Sequence, residues 1–220
     1  SYRLFFFFIY KLRILDPLPL YQPIPWLGFY KANRRKNTEL RWRLIKGNLK
    51  DNVACALDLG SNTGFFTLKL AEQGISTIGV EHSGFMYNHS MKMKKICDFT
   101  NAAFWRLQIS PSNIKSMPSV DAMLCLSVFH AWNKTYGFSK SEKMLSYLMK
   151  STRLVMFFET TDPDEIYYSL NNEKPESKEE VTEAIVMFLK KMGAVNVQNL
   201  GQTTGDFGVK TKYLFAAYKK

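Results

Sequence analysis

The sequence predicts an α/β domain with a mostly parallel sheet covered by helices on both faces. Short apolar runs alternate with amphipathic helical stretches along most of the chain, which is the pattern of buried parallel strands with crossover helices. A glycine-punctuated bend follows the first such run, at Gly60 and Gly64, and an acidic residue, Glu81, closes the second. At 220 residues the chain suits one domain with a sizeable core and a short extension. Hydrophobic residues at 46% and charged residues at 22% exclude wholesale disorder.

The first 50 residues read as an extension, an arm or lid, and residues 51–220 as the domain proper. An aromatic run at Phe5–Phe8 precedes Pro17, Pro19, Pro23 and Pro25, which forbid a continuous helix and favour extended backbone. The apolar stretch Leu4–Tyr10 is closed by Lys11 and Arg13. It is far short of the roughly 20 residues that a spanning helix needs. No small-residue cleavage site follows, so it does not read as a signal peptide. Asn37-Thr38 then offers a helix start, with Leu40, Leu44 and Ile45 as an apolar stripe ending near Gly47.

From Val53 the alternation sets in. Strands are expected over Val53–Leu57, Ile75–Val80, Ala103–Leu107, Asp121–Ser127, Leu154–Phe158, Val195–Leu200 and Tyr213–Tyr218. Helices are expected over Thr63–Gln73, Phe85–Ile96, Ser141–Lys150 and Glu179–Lys191, the last on the spacing of Val181, Ile185, Phe188 and Leu189. Residues 160–178, rich in Asp, Asn and Pro, read as a long loop.

The informative string is Ala56-Leu57-Asp58-Leu59-Gly60-Ser61-Asn62-Thr63-Gly64-Phe65. A strand delivers Asp58 to its carboxyl end, and the glycines let the backbone turn tightly and approach a ligand. The helix that follows offers unpaired N–H groups, at the place where open α/β sheets bind ligands. Glu81 lies 17 residues beyond Gly64, where a carboxylate suits a ribose diol. The loop lacks the middle glycine of the G-x-G-x-x-G dinucleotide fingerprint, which argues against a nicotinamide dehydrogenase.

These residues resemble motif I and the following acidic position of class I S-adenosylmethionine (SAM)-dependent methyltransferases. The resemblance spans roughly residues 53–218 and is strongest over 54–84. It implies a Rossmann-like, mostly parallel seven-stranded sheet with an antiparallel C-terminal strand. It also implies that SAM is the cofactor, with Asp58 at its amino-acid part and Gly60, Ser61, Asn62, Thr63, Gly64 and Phe65 wrapping the same moiety. Glu81 would hold the ribose hydroxyls, and His82 and Ser83 would flank the adenosine. Gln108 and Ile109 stand near the adenine where the family commonly has Asp, so the adenine contacts depart from the pattern.

The resemblance also implies that the turn after the fourth strand, with Ser127, Val128, Phe129 and His130, faces the methyl donor. The string Leu126-Ser127-Val128-Phe129-His130 loosely resembles methyltransferase domains of bacterial surface-polysaccharide enzymes. His130 is the first candidate for a general base and Glu159, ending the fifth strand, the second. Each has a bland reading too, as a brace of the turn or an anchored strand end. Trp132 and Tyr136 either line an acceptor pocket or pack beneath the loop.

A net charge of +11 favours anionic partners without naming one. Residues 31–50 concentrate it in Lys31, Arg34, Arg35, Lys36, Arg41, Arg43, Lys46 and Lys50, against Glu39 alone. Beside Trp42 such a helix suits RNA phosphates and a stacked base, an anionic lipid surface beside Phe5–Phe8, or plain solvent. No base-methylation tetrad follows the fourth strand. The acceptor is therefore expected to be a glycan, lipid-linked sugar or small metabolite, anionic or carbohydrate-like. RNA methylation and a non-catalytic binding role are the alternatives. Cys55, Cys97 and Cys125 form no CxxC pair and no metal-ligand spacing. They point to a reducing, cytoplasmic setting, with peripheral membrane association left open.

Overall fold

The computed structural model describes residues 22–27, 37–160, 163–204 and 211–219. The aromatic run, Pro17, Pro19, Lys31 and Arg34–Lys36 lie outside them. Seven strands form one sheet: β1 (Cys55–Leu59), β2 (Ser76–Glu81), β3 (Ala102–Arg106), β4 (Val120–Leu126), β5 (Thr152–Glu159), β6 (Asn196–Thr204) and β7 (Thr211–Tyr218). Their order is β3-β2-β1-β4-β5-β7-β6, with β7 antiparallel to both of its neighbours and the first five strands parallel.

The two-residue period of the strands sorts side chains to two helical layers. Leu57, Leu59, Met123, Cys125, Met156 and Phe158 face one side. There they meet α4 (Phe129–Tyr136), α5 (Phe138–Ser151) and α7 (Lys178–Lys191), through Phe129, Leu145 and Phe188 among others. Ala56, Leu124, Leu126, Val155 and Phe157 face the other side, against Trp42 and Ile45 of α1 (Thr38–Gly47) and Phe65, Phe66 and Leu70 of α2 (Phe65–Glu72). The helix α3 (Gly84–Cys97) packs Met93 with Leu68, Phe104 and Ile24 in a third cluster. Burial pushes the Cys125 thiol up to about 12, so it behaves as a small apolar side chain. Cys55, in the apolar first strand, is only half-buried.

Two helices stand where none was expected. The stretch read as a loop contains α6 (Pro163–Asn171), and α4 follows the fourth strand directly. Proline is preorganised for the first turn of a helix, and Ile166, Tyr167 and Leu170 follow it at helical spacing. The loop-like composition of residues 160–178 belongs to the two ends of this short helix.

Two features at the strand ends position the site. Ser127, just past β4, takes a left-handed backbone (φ 60°), which turns the chain sharply into α4. At the opposite end of the sheet, Asp121 Oδ2 accepts the N–H groups of Ala54 and Cys55 at 2.9 and 3.0 Å. Arg153 Nε donates to its Oδ1 at 2.8 Å, and that guanidinium holds the Asp121 carboxyl down at about 2. The entry to β1 is thereby tied to β4 and β5.

Candidate active site

The order of the sheet reverses between β1 and β4, and a ligand crevice is expected outside the strand ends at such a point. A cavity of about 440 Å³ opens there. Asp58, Gly60, Asn62, Glu81, His82, Gln108, Ile109 and Ser127, all expected at the site, line it together.

Asp58 lies one residue before the end of β1 and points to the α2 side of the sheet, where Thr67 Oγ1 donates to its Oδ2 at 2.7 Å. Loss of solvent dominates its surroundings. Burial raises its carboxyl from 3.8 to about 7, against the lowering effects of the Thr67 hydrogen bonds and the Arg41 charge.

The turn after β1 is held by its own backbone and by Glu81. Gly60 and Asn62 are left-handed (φ 64° and 53°), and a Cβ on Gly60 would sit 2.9 Å from Val128 Cγ2. Glu81 Oε2 accepts the Asn62 N–H at 2.9 Å and Oε1 accepts the Ser83 N–H at 2.7 Å. The exposed His82 ring stands 3.1 Å from the same oxygen. Oε2, with the Asn62 N–H as its partner, keeps a lone pair for a ligand hydroxyl.

Ser61, Thr63, Gly64 and Phe65 do not line the cavity; they hold the turn from behind. The Ser61 N–H donates to Val80 O at 3.0 Å and the Gly64 N–H to Ser61 O at 2.9 Å. Gly64 presses against Phe104 and Ser90, where a Cβ would come within 2.9 Å of either side chain. Beyond β3, the Leu107 N–H donates to Glu81 O at 3.0 Å and Asn113 Nδ2 to Gln108 O at 2.9 Å, fixing the wall that carries Leu107, Gln108 and Ile109.

Ala131, Trp132, Thr135 and Tyr136 of α4 form the far wall. His130 is half-buried and is not part of that wall. Glu159 is fully buried. Its Oε1 lies 2.8 Å from Arg41 Nε and accepts Thr203 Oγ1 at 3.0 Å. Its Oε2 accepts the Ser127 hydroxyl, which in turn accepts from Lys212 Nζ at 3.0 Å. Two cations thus flank one carboxylate beneath the far end of the cavity.

Arg41 and Gln22 are site residues that sequence reasoning missed. Arg41, expected on a basic face open to RNA, lipid or solvent, is instead buried, lies over the Phe66 ring at 4.9 Å and lines the cavity. Trp42, considered for base stacking, is buried in the core.

This fold defines a Rossmann-like α/β protein with an open crevice at the strand ends. Among solved structures, the chain is similar to the bifunctional kinase-methyltransferase WbdD at TM-score 0.70 and 21% identity, over 95% of this chain and 46% of that one. It therefore spans just under half of WbdD. It is also similar to the N-terminal domain of EvdMO1 with SAH (S-adenosylhomocysteine) bound, at TM-score 0.64 and 14% identity, over 96% of this chain and 95% of that one. A third likeness is to magnesium protoporphyrin IX methyltransferase from Synechocystis PCC 6803 with bound SAM, at TM-score 0.56 and 16% identity, over 84% of this chain and 77% of that one. No protein-family model and no curated protein sequence matches the chain. The fold is one shared with SAM-dependent methyltransferases.

Proposed function

We propose that the protein is a SAM-dependent methyltransferase acting on a hydroxyl or similar nucleophile of a glycan, lipid-linked sugar or small metabolite. The observation that carries this reading is the pair of acids in one crevice: desolvated Asp58 at one side of the Gly60–Gly64 turn and Glu81 at the other. A buried carboxylate held near neutrality gains most from a cationic ligand group, and Glu81 keeps acceptor capacity for a ribose diol. The residues present therefore fit an adenosyl amino acid, with Asp58 toward its positive end, Glu81 toward its ribose, and Gln108 and Ile109 toward its base.

That cofactor, when bound, supplies a methyl group on a sulfonium for in-line displacement. The chain's own work is to bind, align and exclude water. Alignment of this kind supplies about 7–11 kcal/mol of barrier reduction. The α4 wall, with Trp132 and Tyr136, is where the acceptor sits, and Arg41 on the same crevice favours an acceptor with anionic or strongly polar character. Glu159 acts as the clamp between Arg41 and Lys212, and His130, in the first turn of α4, is not on the crevice wall. D-Fucose accompanies SAH in one EvdMO1 structure, which agrees with a sugar acceptor. The RNA reading has lost Trp42, its stacking residue, to the core. Among the described residues no helix is long and apolar enough to cross a membrane.

The test is titration calorimetry with SAM, followed by transfer of a labelled methyl group to a panel of sugars, phosphosugars and RNA. Binding with transfer to the sugar fractions supports the proposal. Transfer to RNA alone moves the substrate class, and absence of SAM binding rejects the enzyme reading.

A further inference from the structure

Residues 22–24 lead into a short 3₁₀ turn at Pro25–Leu27, and together they form a strap along α2, from Phe65 at its start to Glu72 at its end. Its anchors are specific. Ile24 is buried beside Leu68 and Phe104. Trp26 packs edge-on to Phe99 and tilted against Phe65, with ring centroids 5.7 and 6.2 Å apart. Its indole N–H donates to Glu72 Oε1 at 3.2 Å, and Lys69 Nζ stands 5.2 Å over its ring.

The strap presents Gln22, only 6% exposed, to the crevice wall. Gln22 Oε1 accepts the Thr63 hydroxyl at 2.8 Å and the Phe65 N–H at 3.2 Å. A backbone N–H can only donate, so the Phe65 contact fixes which end of the amide is oxygen. The Nε2 amino group therefore lies on the other side, and among the described residues it makes no hydrogen bond. Gln22 lines the crevice, so this unengaged donor pair on an otherwise buried side chain is open to an acceptor on a ligand there.

We infer that Gln22 is a cofactor-binding residue whose side-chain amide donates to the α-carboxylate of the adenosyl amino acid, across the crevice from Asp58, which takes the α-ammonium. This inference rests on the methyltransferase reading. It gives the zwitterionic end of the cofactor an acceptor from β1 and a donor from the strap. Arg41, engaged with Glu159, adds positive potential on the same side.

Gln22→Glu separates this role from a structural one. The variant keeps an oxygen for Thr63 and Phe65 but replaces the donor by a negative charge. Calorimetry compares SAH with 5′-methylthioadenosine, which has the same nucleoside and no amino-acid moiety. We expect SAH to weaken by about tenfold or more, with 5′-methylthioadenosine unchanged. Equal weakening of both ligands, or an unchanged SAH affinity, overturns the inference. If Gln22→Glu lowers the melting temperature, Gln22→Met replaces it, with the same selective loss of SAH expected and equal losses again overturning it. A wild-type protein that binds neither ligand rejects the methyltransferase reading itself, and the inference with it.

Discussion

Glu81 Oε2 accepts the backbone N–H of Asn62 at 2.9 Å, so the acid that ends β2 also fixes the turn that follows β1. One carboxylate both holds the turn and lines the crevice. Glu81→Ala and Glu81→Gln should each weaken SAM about 10- to 100-fold, the range expected from losing a charged hydrogen bond. Glu81→Gln also sets an amide N–H against the N–H of Asn62 or Ser83. Calorimetry decides: wild-type affinity in either variant removes Glu81 from the site.

Asp58 gives the protein a pH dependence of known sign. Its carboxyl is raised from 3.8 to about 7, first by burial. The folded state therefore favours the neutral form. Its stabilising share is complete below 3.8 and is lost as pH rises through about 7. The melting temperature of the ligand-free protein, minus that of Asp58→Asn, should fall across this window. A cationic ligand favours the ionised form, so SAM affinity should rise from pH 5 to 7 with release of a proton. Calorimetry in buffers of different ionisation enthalpy reads that proton, and proton uptake on binding would contradict the assignment.

Gly60→Ala meets two obstacles, a left-handed φ of 64° and a contact of 2.9 Å with Val128 Cγ2. A left-handed backbone alone costs an L residue about 1–2 kcal/mol. Denaturant unfolding should show at least that loss, together with weaker SAM binding. Adding Val128→Ala should recover part of it, because the shortened side chain relieves the contact and leaves the backbone strain. No recovery at all would mean that the Val128 contact contributes nothing.

Glu159 distinguishes a clamp from a base. Removing one partner of a buried ion pair costs about 3–5 kcal/mol, so Glu159→Gln should lower unfolding stability on that scale. A general base would instead lose turnover with stability intact. His130→Ala should keep wild-type turnover, since the ring is not on the crevice wall; a loss of 100-fold or more, the scale of general-base catalysis, would restore His130 as the base.

Much of the fold and about half of the crevice lining were legible in the sequence, for a physical reason. Asp58, Gly60 and Glu81 act through local backbone geometry, a turn after one strand and an acid at the end of the next, and local geometry leaves a local string. Gln22, Arg41 and Lys212 act through contacts that only the folded sheet creates; Lys212 meets Ser127 across 85 positions of chain. Nothing about a lysine in an edge-ward strand signals that it will be 2% exposed. Arg41 looked like one member of a charged face because its neighbours are charged, and its inward direction follows from the helical position it shares with Trp42 and Ile45. The helix at Pro163–Asn171 was hidden by the composition of its flanks, although Pro163-Asp164-Glu165 is itself a helix start.

The link from Arg41 to Glu159 also bears on how far the chain can be shortened. A fragment trimmed to start at the first strand would keep every residue of the recognisable glycine signature, yet it would remove one of the two cations beside a buried carboxylate and uncover the Phe66 ring that Arg41 covers. Such a fragment should aggregate rather than bind, and the helix ahead of the sheet belongs in any minimal version of the domain.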